Sequence, residues 1–203
     1  MAAHETVERQ ISEDAADPTY AFKPSLIGGW CQFTLKSDGL HWQMGARGGR
    51  VRYERIRAVR LSYRPVTMQS RRFITEIWST DNPKIQIISV SWRSVVEQAR
   101  QDDAYSAFVT ELHQRLAASG SVAQFTTGLP VASYWFGVVI FAAVLMSMAV
   151  MIVRTLKLGQ WSVGAVIAAI FAVFALQLGN YFRRNRPSRY RPDAIPREVL
   201  PKG

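Results

Sequence analysis

Residues 131–153 read VASYWFGVVIFAAVLMSMAVMIV and residues 161–182 read WSVGAVIAAIFAVFALQLGNYF, and Arg183-Arg184-Asn185-Arg186 follows at once. At about 1.5 Å rise per residue each run is roughly 33 Å long as a helix, which matches a hydrocarbon core of about 30 Å. The connection, residues 154–160, is too short for anything but a tight turn. A two-helix transmembrane hairpin is therefore predicted, with the chain before and after it on one side of one membrane. Tyr134, Trp135, Phe136, Trp161, Tyr181 and Phe182 fall where the water interfaces are expected.

The basic residues orient this hairpin. The tail carries Arg183, Arg184, Arg186, Arg189 and Arg191, whereas the loop carries only Arg154 and Lys157. That asymmetry predicts that both termini are cytoplasmic. Neither run contains Asp, Glu, Lys, Arg or His, which argues against a transporter or proton relay. Gly164, Ala168 and Ala172, at spacing four, form a small-residue stripe suited to helix packing, and Ala143 with Ser147 offers the first run a comparable strip. Such stripes serve packing within the hairpin, a homodimer, or docking on another membrane protein.

Residues 1–20 form an acidic lead-in (Glu5, Glu8, Glu13, Asp14, Asp17) without an apolar leader, and are expected to be disordered. The single cysteine, Cys31, rules out an intramolecular disulfide. Residues 21–120 are the expected soluble domain. Much of this stretch alternates with period two: Phe33 and Leu35; Leu40, Trp42 and Met44; Val51 and Tyr53; Val59, Leu61 and Tyr63; then 73–78 and 85–92. Turn signals separate them at Ser37-Asp38-Gly39, Gly45 with Gly48-Gly49, Arg64-Pro65 and Asp81-Asn82-Pro83.

The period then lengthens. Tyr105, Phe108, Val109, Leu112 and Leu116 make one stripe of an amphipathic helix that stops near Gly120. Trp92, Val95, Val96 and Ala99 also have helical spacing, with Ser94 and Glu97 placed as a capping box. Asp102-Asp103 reads as a helix-start pair complementing the dipole. Residues 121–130 link the domain to the membrane.

Strands in meander order closed by a C-terminal amphipathic helix resemble the pleckstrin-homology-like split barrel. The phrase Phe33-Thr34-Leu35-Lys36-Ser37-Asp38-Gly39-Leu40, with Tyr53-Glu54-Arg55-Ile56-Arg57-Ala58-Val59, is similar to a pattern in bacterial membrane proteins that join such a domain to a transmembrane hairpin. The likeness covers about residues 30–117. It implies an α+β fold, residence in a bacterial inner membrane and a scaffold for binding, but no activity, because such folds host many ligands.

The most pronounced chemical bias is the run Arg47, Arg50, Arg52, Arg55, Arg57, Arg60, Arg64, Arg71 and Arg72, opposed only by Glu54, in a chain of net charge +10. Arg50 and Arg52 should share one side of a strand, as should Arg60 and Arg64 of the next. Beside a cytoplasmic leaflet each basic residue gains about 1 kcal/mol from anionic lipid, and guanidinium groups suit phosphate. Arg50, Arg52, Arg57, Arg60 and Arg64, with Arg183, Arg184 and Arg186 at the membrane edge, are the expected contact residues. Membrane lipid, an acidic protein partner and a merely solvated sheet face all fit the run.

No helix-turn-helix or single-strand-binding signature accompanies the charge, and nucleic acid is not an expected partner. His4, His41 and His113 are scattered, with His113 expected on an exposed helix face, so no metal or cofactor site is indicated. Gly45-Ala46-Arg47-Gly48-Gly49 lacks the Lys and helix of a phosphate loop. No nucleophile with a neighbouring base is apparent, and no enzyme is expected. Residues 183–203 form a basic, proline-rich tail. It reads either as a free end or as an extended segment anchored on the soluble domain or a partner by Ile195, Val199 and Leu200.

Overall fold

The computed structural model describes residues 17–25, 29–64, 72–92 and 98–201. The chain divides into two compact units, residues 1–126 with 189–203, and residues 127–188. The fold is mixed α+β, with antiparallel strands in the first unit and two long apolar helices in the second.

Strands β1 (Thr19–Phe22), β2 (Cys31–Lys36), β3 (Gly39–Met44) and β4 (Arg47–Val51) form one sheet in that order, each antiparallel to the next. Period two places Phe33 and Leu35 of β2 inward and fully buried while Gln32 stays exposed. The β2–β3 turn depends on Gly39, whose φ is +146° and whose missing Cβ would stand 2.3 Å from the Val51 carbonyl oxygen. The short 3₁₀ turn Tyr53–Arg55 then leads into β5 (Ile56–Tyr63). Strands β6 (Phe73–Ser79) and β7 (Ile85–Ile88) continue a second sheet ordered β11-β10-β5-β6-β7, where β10 is Gln124–Thr127 and β11 is Ser188–Arg189. Among the described residues the strands do not close into a barrel.

Two expectations along this stretch are corrected. Thr19 and Tyr20 belong to β1, and Tyr20 is 2% exposed, so the ordered domain starts inside the supposed lead-in. At the two ends of the stretch with helical spacing, Trp92 and Ala99 lie on strands: β8 (Val90–Trp92) and β9 (Gln98–Arg100) pair antiparallel, Val90 opposite Arg100. Apolar residues over so short a window fit either period, and at Trp92 and Ala99 strand pairing decided the outcome, while Val95 and Val96 lie outside the described residues. The rest of the acidic lead-in, the Ser94–Glu97 box and Arg71 lie outside the described residues.

Helix α1 (Asp102–Ala118) buries the expected stripe, Tyr105, Phe108, Val109, Leu112 and Leu116, against both sheets' inner residues. Asp102 and Asp103 occupy its first turn, as the dipole favours, but the cap residue Gln101 makes no side-chain capping bond. Asp102 instead contacts Arg100. The Tyr105 hydroxyl, fully buried, shares a hydrogen bond of 2.6 Å with Thr75, and burial pushes its ionisation far above the usual range.

In the second unit, α2 (Val131–Lys157) and α3 (Trp161–Arg184) are both long and apolar enough to cross a membrane. They form a hairpin in which Phe141 meets Phe174 and Phe182 at 6.0 and 5.4 Å between ring centres. At its foot, the Leu129 N–H donates to the Asn185 carbonyl at 3.1 Å, and the Thr127 and Ser188 hydroxyls share a 2.7 Å bond. Gly128, at φ +73°, makes this closure possible, because a Cβ there would lie 2.2 Å from the same Asn185 oxygen. Gly128→Ala is expected to cost at least about 2 kcal/mol, combining a left-handed backbone with a clash. Thermal unfolding of the full chain in detergent checks this, a midpoint equal to wild type being the contrary result.

Candidate functional site

The arginine run separates into two clusters because the chain leaves one sheet for the other between Val51 and Ile56. Arg50 lies on β4, opposite His41. Its Nη1 donates to Asp38 at 2.5 Å, and His41 Nε2 contacts the other Asp38 oxygen at 2.8 Å. Partial burial opposes ionisation of Asp38, but the bonds from Arg50 and His41 outweigh it and hold the carboxyl below its ordinary range. Arg52 follows in extended conformation, off the end of the strand, and Arg55 closes the 3₁₀ turn. The β6–β7 turn meets them with Asp81 and Asn82. Together Arg50, Arg52, Arg55, Asp81 and Asn82 line a depression of about 260 Å³. Its walls are tied by backbone and side-chain bonds: Asn82 Nδ2 to the Arg50 carbonyl (3.3 Å), Thr80 N–H to the Arg55 carbonyl (3.1 Å), and Arg57 Nε to Thr80 Oγ1 (3.0 Å).

The second cluster sits on the five-stranded sheet. Arg60 pairs across the strand with Glu76 and stacks over Trp78, 5.0 Å from the ring centre. Arg64 reaches Glu76 at 3.8 Å, on the same side as expected, while Lys84 and Gln86 donate to Glu76 at 2.9 and 2.8 Å. Glu76 is 2% exposed. Burial alone would favour its neutral form, yet these donors and the charges of Lys84 and Arg64 hold its carboxyl below the ordinary range. Arg60 and Arg64 are thus engaged with the domain's own groups.

A second, larger depression of about 440 Å³ lies over the open face of β2–β4, lined by Gln32, Thr34, His41, Trp42, Gln43, Gly48, Gly49 and Arg50. The two glycines of β4 leave room there for Trp42, whose ring would stand 2.9 Å from a Cβ at Gly49.

Of the residues expected at the membrane edge, Arg183 lies exposed in the last turn of α3 and donates to Asn180 at 3.1 Å, Arg184 is half-buried, and Arg186 is exposed. Gly164 is buried against Thr155 and Leu156, Ala168 is half-buried, and Ala172 is exposed. A strict spacing of four advances 400° per step and drifts off a helix face. Phe171, Phe174, Ala175 and Leu178 take the inward positions farther along, leaving Ala143, Ser147 and Ala172 on outward surfaces.

Sequence reasoning missed one cluster. His113 is not on an exposed helix face but fully buried, its Nδ1–H donating to the Val109 carbonyl at 2.6 Å and its Nε2 accepting from the Tyr190 hydroxyl at 2.8 Å. Phe125 packs on both rings. The tail is accordingly the anchored segment of the two alternatives: the Tyr190 N–H donates to the Phe125 carbonyl, Val199 is 2% exposed in the core, and Ile195 and Leu200 pack beside it. The available signal was the lone aromatic Tyr190 among prolines and the apolar triad that follows it.

Among the described residues no three His, Cys, Asp or Glu side chains gather as metal ligands. Compared with protein-family models, curated proteins and solved structures, the chain matches none of them.

Proposed function

We propose that this is a non-enzymatic membrane protein that binds and positions. The hairpin spans a bacterial inner membrane with both termini cytoplasmic, and the pleckstrin-homology-like unit presents its basic surface to anionic headgroups. The observation that carries this reading is the insertion of two membrane-length apolar helices into a single domain, whose residues 1–126 and 189–203 form one unit. Both flanks must then lie on the same membrane face. The pleckstrin-homology reading draws support from antiparallel sheets β1–β4 and β5–β7 followed by α1. Arginines beside that face gain from the leaflet's negative potential, which decays within a Debye length of about 8 Å.

Hydrogen exchange on the full chain in lipid nanodiscs tests the reading. Residues 47–64 should exchange more slowly in discs containing phosphatidylglycerol than in phosphatidylcholine discs, and the difference should vanish at high salt. Equal exchange in both would refute lipid contact. A second reading, a subunit or assembly factor of a larger membrane complex, is favoured by the outward small residues Ala143, Ser147 and Ala172, which the hairpin itself leaves exposed. Purification of the native protein with a fixed membrane partner would select it.

A further inference from the structure

We infer that Arg50, Arg52 and Arg55, with the Asn82 amide, form a pocket for a single phosphate group. This rests on, and sharpens, the anionic-surface reading above: among the basic residues it names the site and the chemical group bound. The choice follows from what the other arginines are doing. Arg60 and Arg64 have Trp78 and Glu76, and Arg57 is bonded to Thr80. The three pocket arginines are matched incompletely. Asp38 takes one nitrogen of Arg50. Asp81 stands 3.7 Å from Arg55 Nε, longer than a hydrogen bond and open to competition. Arg52 has no ion pair among the described residues. Three cations against two carboxylates leave one positive charge around a space of about 260 Å³.

The space is smaller than the roughly 300–1,000 Å³ of pockets for drug-sized ligands, so it suits a small group and not an extended molecule. Tetrahedral oxygens accept from several guanidinium forks at once, and charge-assisted bonds of this kind are about twice as strong as neutral ones. The backbone needs no rearrangement to present them. The 3₁₀ turn folds Arg55 back beside Arg50 and Arg52, and the bonds from Asn82 and Thr80 fix the turn against the strand end. Depending on its source, the phosphate belongs to a lipid headgroup or to a soluble phosphate ester.

Calorimetric titration of the full chain, in phosphatidylcholine nanodiscs, with inorganic phosphate and with glycerol phosphate tests the pocket. Saturable binding is expected, weakened at least about tenfold in the Arg52→Gln/Arg55→Gln double variant. Arg47→Gln, outside the pocket, should bind within about twofold of wild type, and matching unfolding midpoints should show that all variants are folded. In discs containing phosphatidic acid, weakened binding of added phosphate identifies the headgroup as the source. Unchanged binding there supports the pocket with a soluble ester as ligand and counts against the lipid reading. No saturable binding, or equal binding by the double variant, overturns the pocket. Slower exchange on phosphatidylglycerol discs would then still leave the broader lipid reading standing.

Discussion

Val199→Asp is expected to destabilise the soluble unit by about 3–5 kcal/mol, enough to unfold a marginal domain. Val199 lies about 75 residues beyond Phe125 in sequence, on the far side of both apolar helices, yet it is 2% exposed in the same core. A carboxylate there would stand among the apolar side chains of that core and must either stay buried or pull the tail away. Release would also withdraw Ile195, Leu200 and Tyr190 from their packing. Denaturant unfolding of the full chain in detergent, followed by the near-ultraviolet signal of the soluble unit's aromatic residues, measures the change. A loss below about 1 kcal/mol would mean that the tail is an accessory and not part of the domain.

Acidification should loosen the same latch. His113 is held neutral, its pKa lowered from 6.5 to about 4, chiefly because burial removes water from the cation, with the Val109 carbonyl opposing only in part. The undocked histidine takes up a proton near pH 6.5, whereas the docked one resists until about pH 4. The latch is therefore fully stable above about pH 6.5, and its stability falls steadily as pH drops through that window. The total is on the order of 3 kcal/mol. Asp38 and Glu76, both held below the ordinary carboxylate range, begin to lose their contributions at the acid end of this window and continue to lose them below it, so the slope nearer pH 6 belongs to His113. His113→Phe should flatten the slope of stability between pH 4 and 6.5 while lowering stability at neutral pH through loss of the Tyr190 bond. An unchanged slope in that variant would assign the dependence to other groups.

What was legible in the sequence was local. Uninterrupted apolar runs marked α2 and α3, three-four spacing marked the buried apolar residues of α1, and alternation marked β2, β3, β5, β6 and β7. What was not legible depended on partners far along the chain. β1 carries only four residues and is identified by its pairing with β2, not by its own pattern. His113 looked exposed because its polar ring finds Tyr190 77 residues away. The arginines formed a single run in sequence because consecutive strands do, but the crossing from the first sheet to the second assigned Arg50, Arg52 and Arg55 to one place and Arg60 and Arg64 to another. No periodicity reports which of them Glu76 or Trp78 will occupy.

If the two apolar helices cross a membrane as proposed, the discontinuous domain places residues on both flanks of the hairpin at one membrane face. Cysteines placed singly at Ser37, Gln160 and Asp193, in a Cys31→Ser background, can be labelled in intact bacterial cells with a membrane-impermeant maleimide. The expected result is labelling at position 160 alone, with 37 and 193 reacting only after the membrane is opened. Opposite accessibility at 37 and 193, or full accessibility of all three without a membrane barrier, would contradict the two-span hairpin and the anchored basic domain built on it.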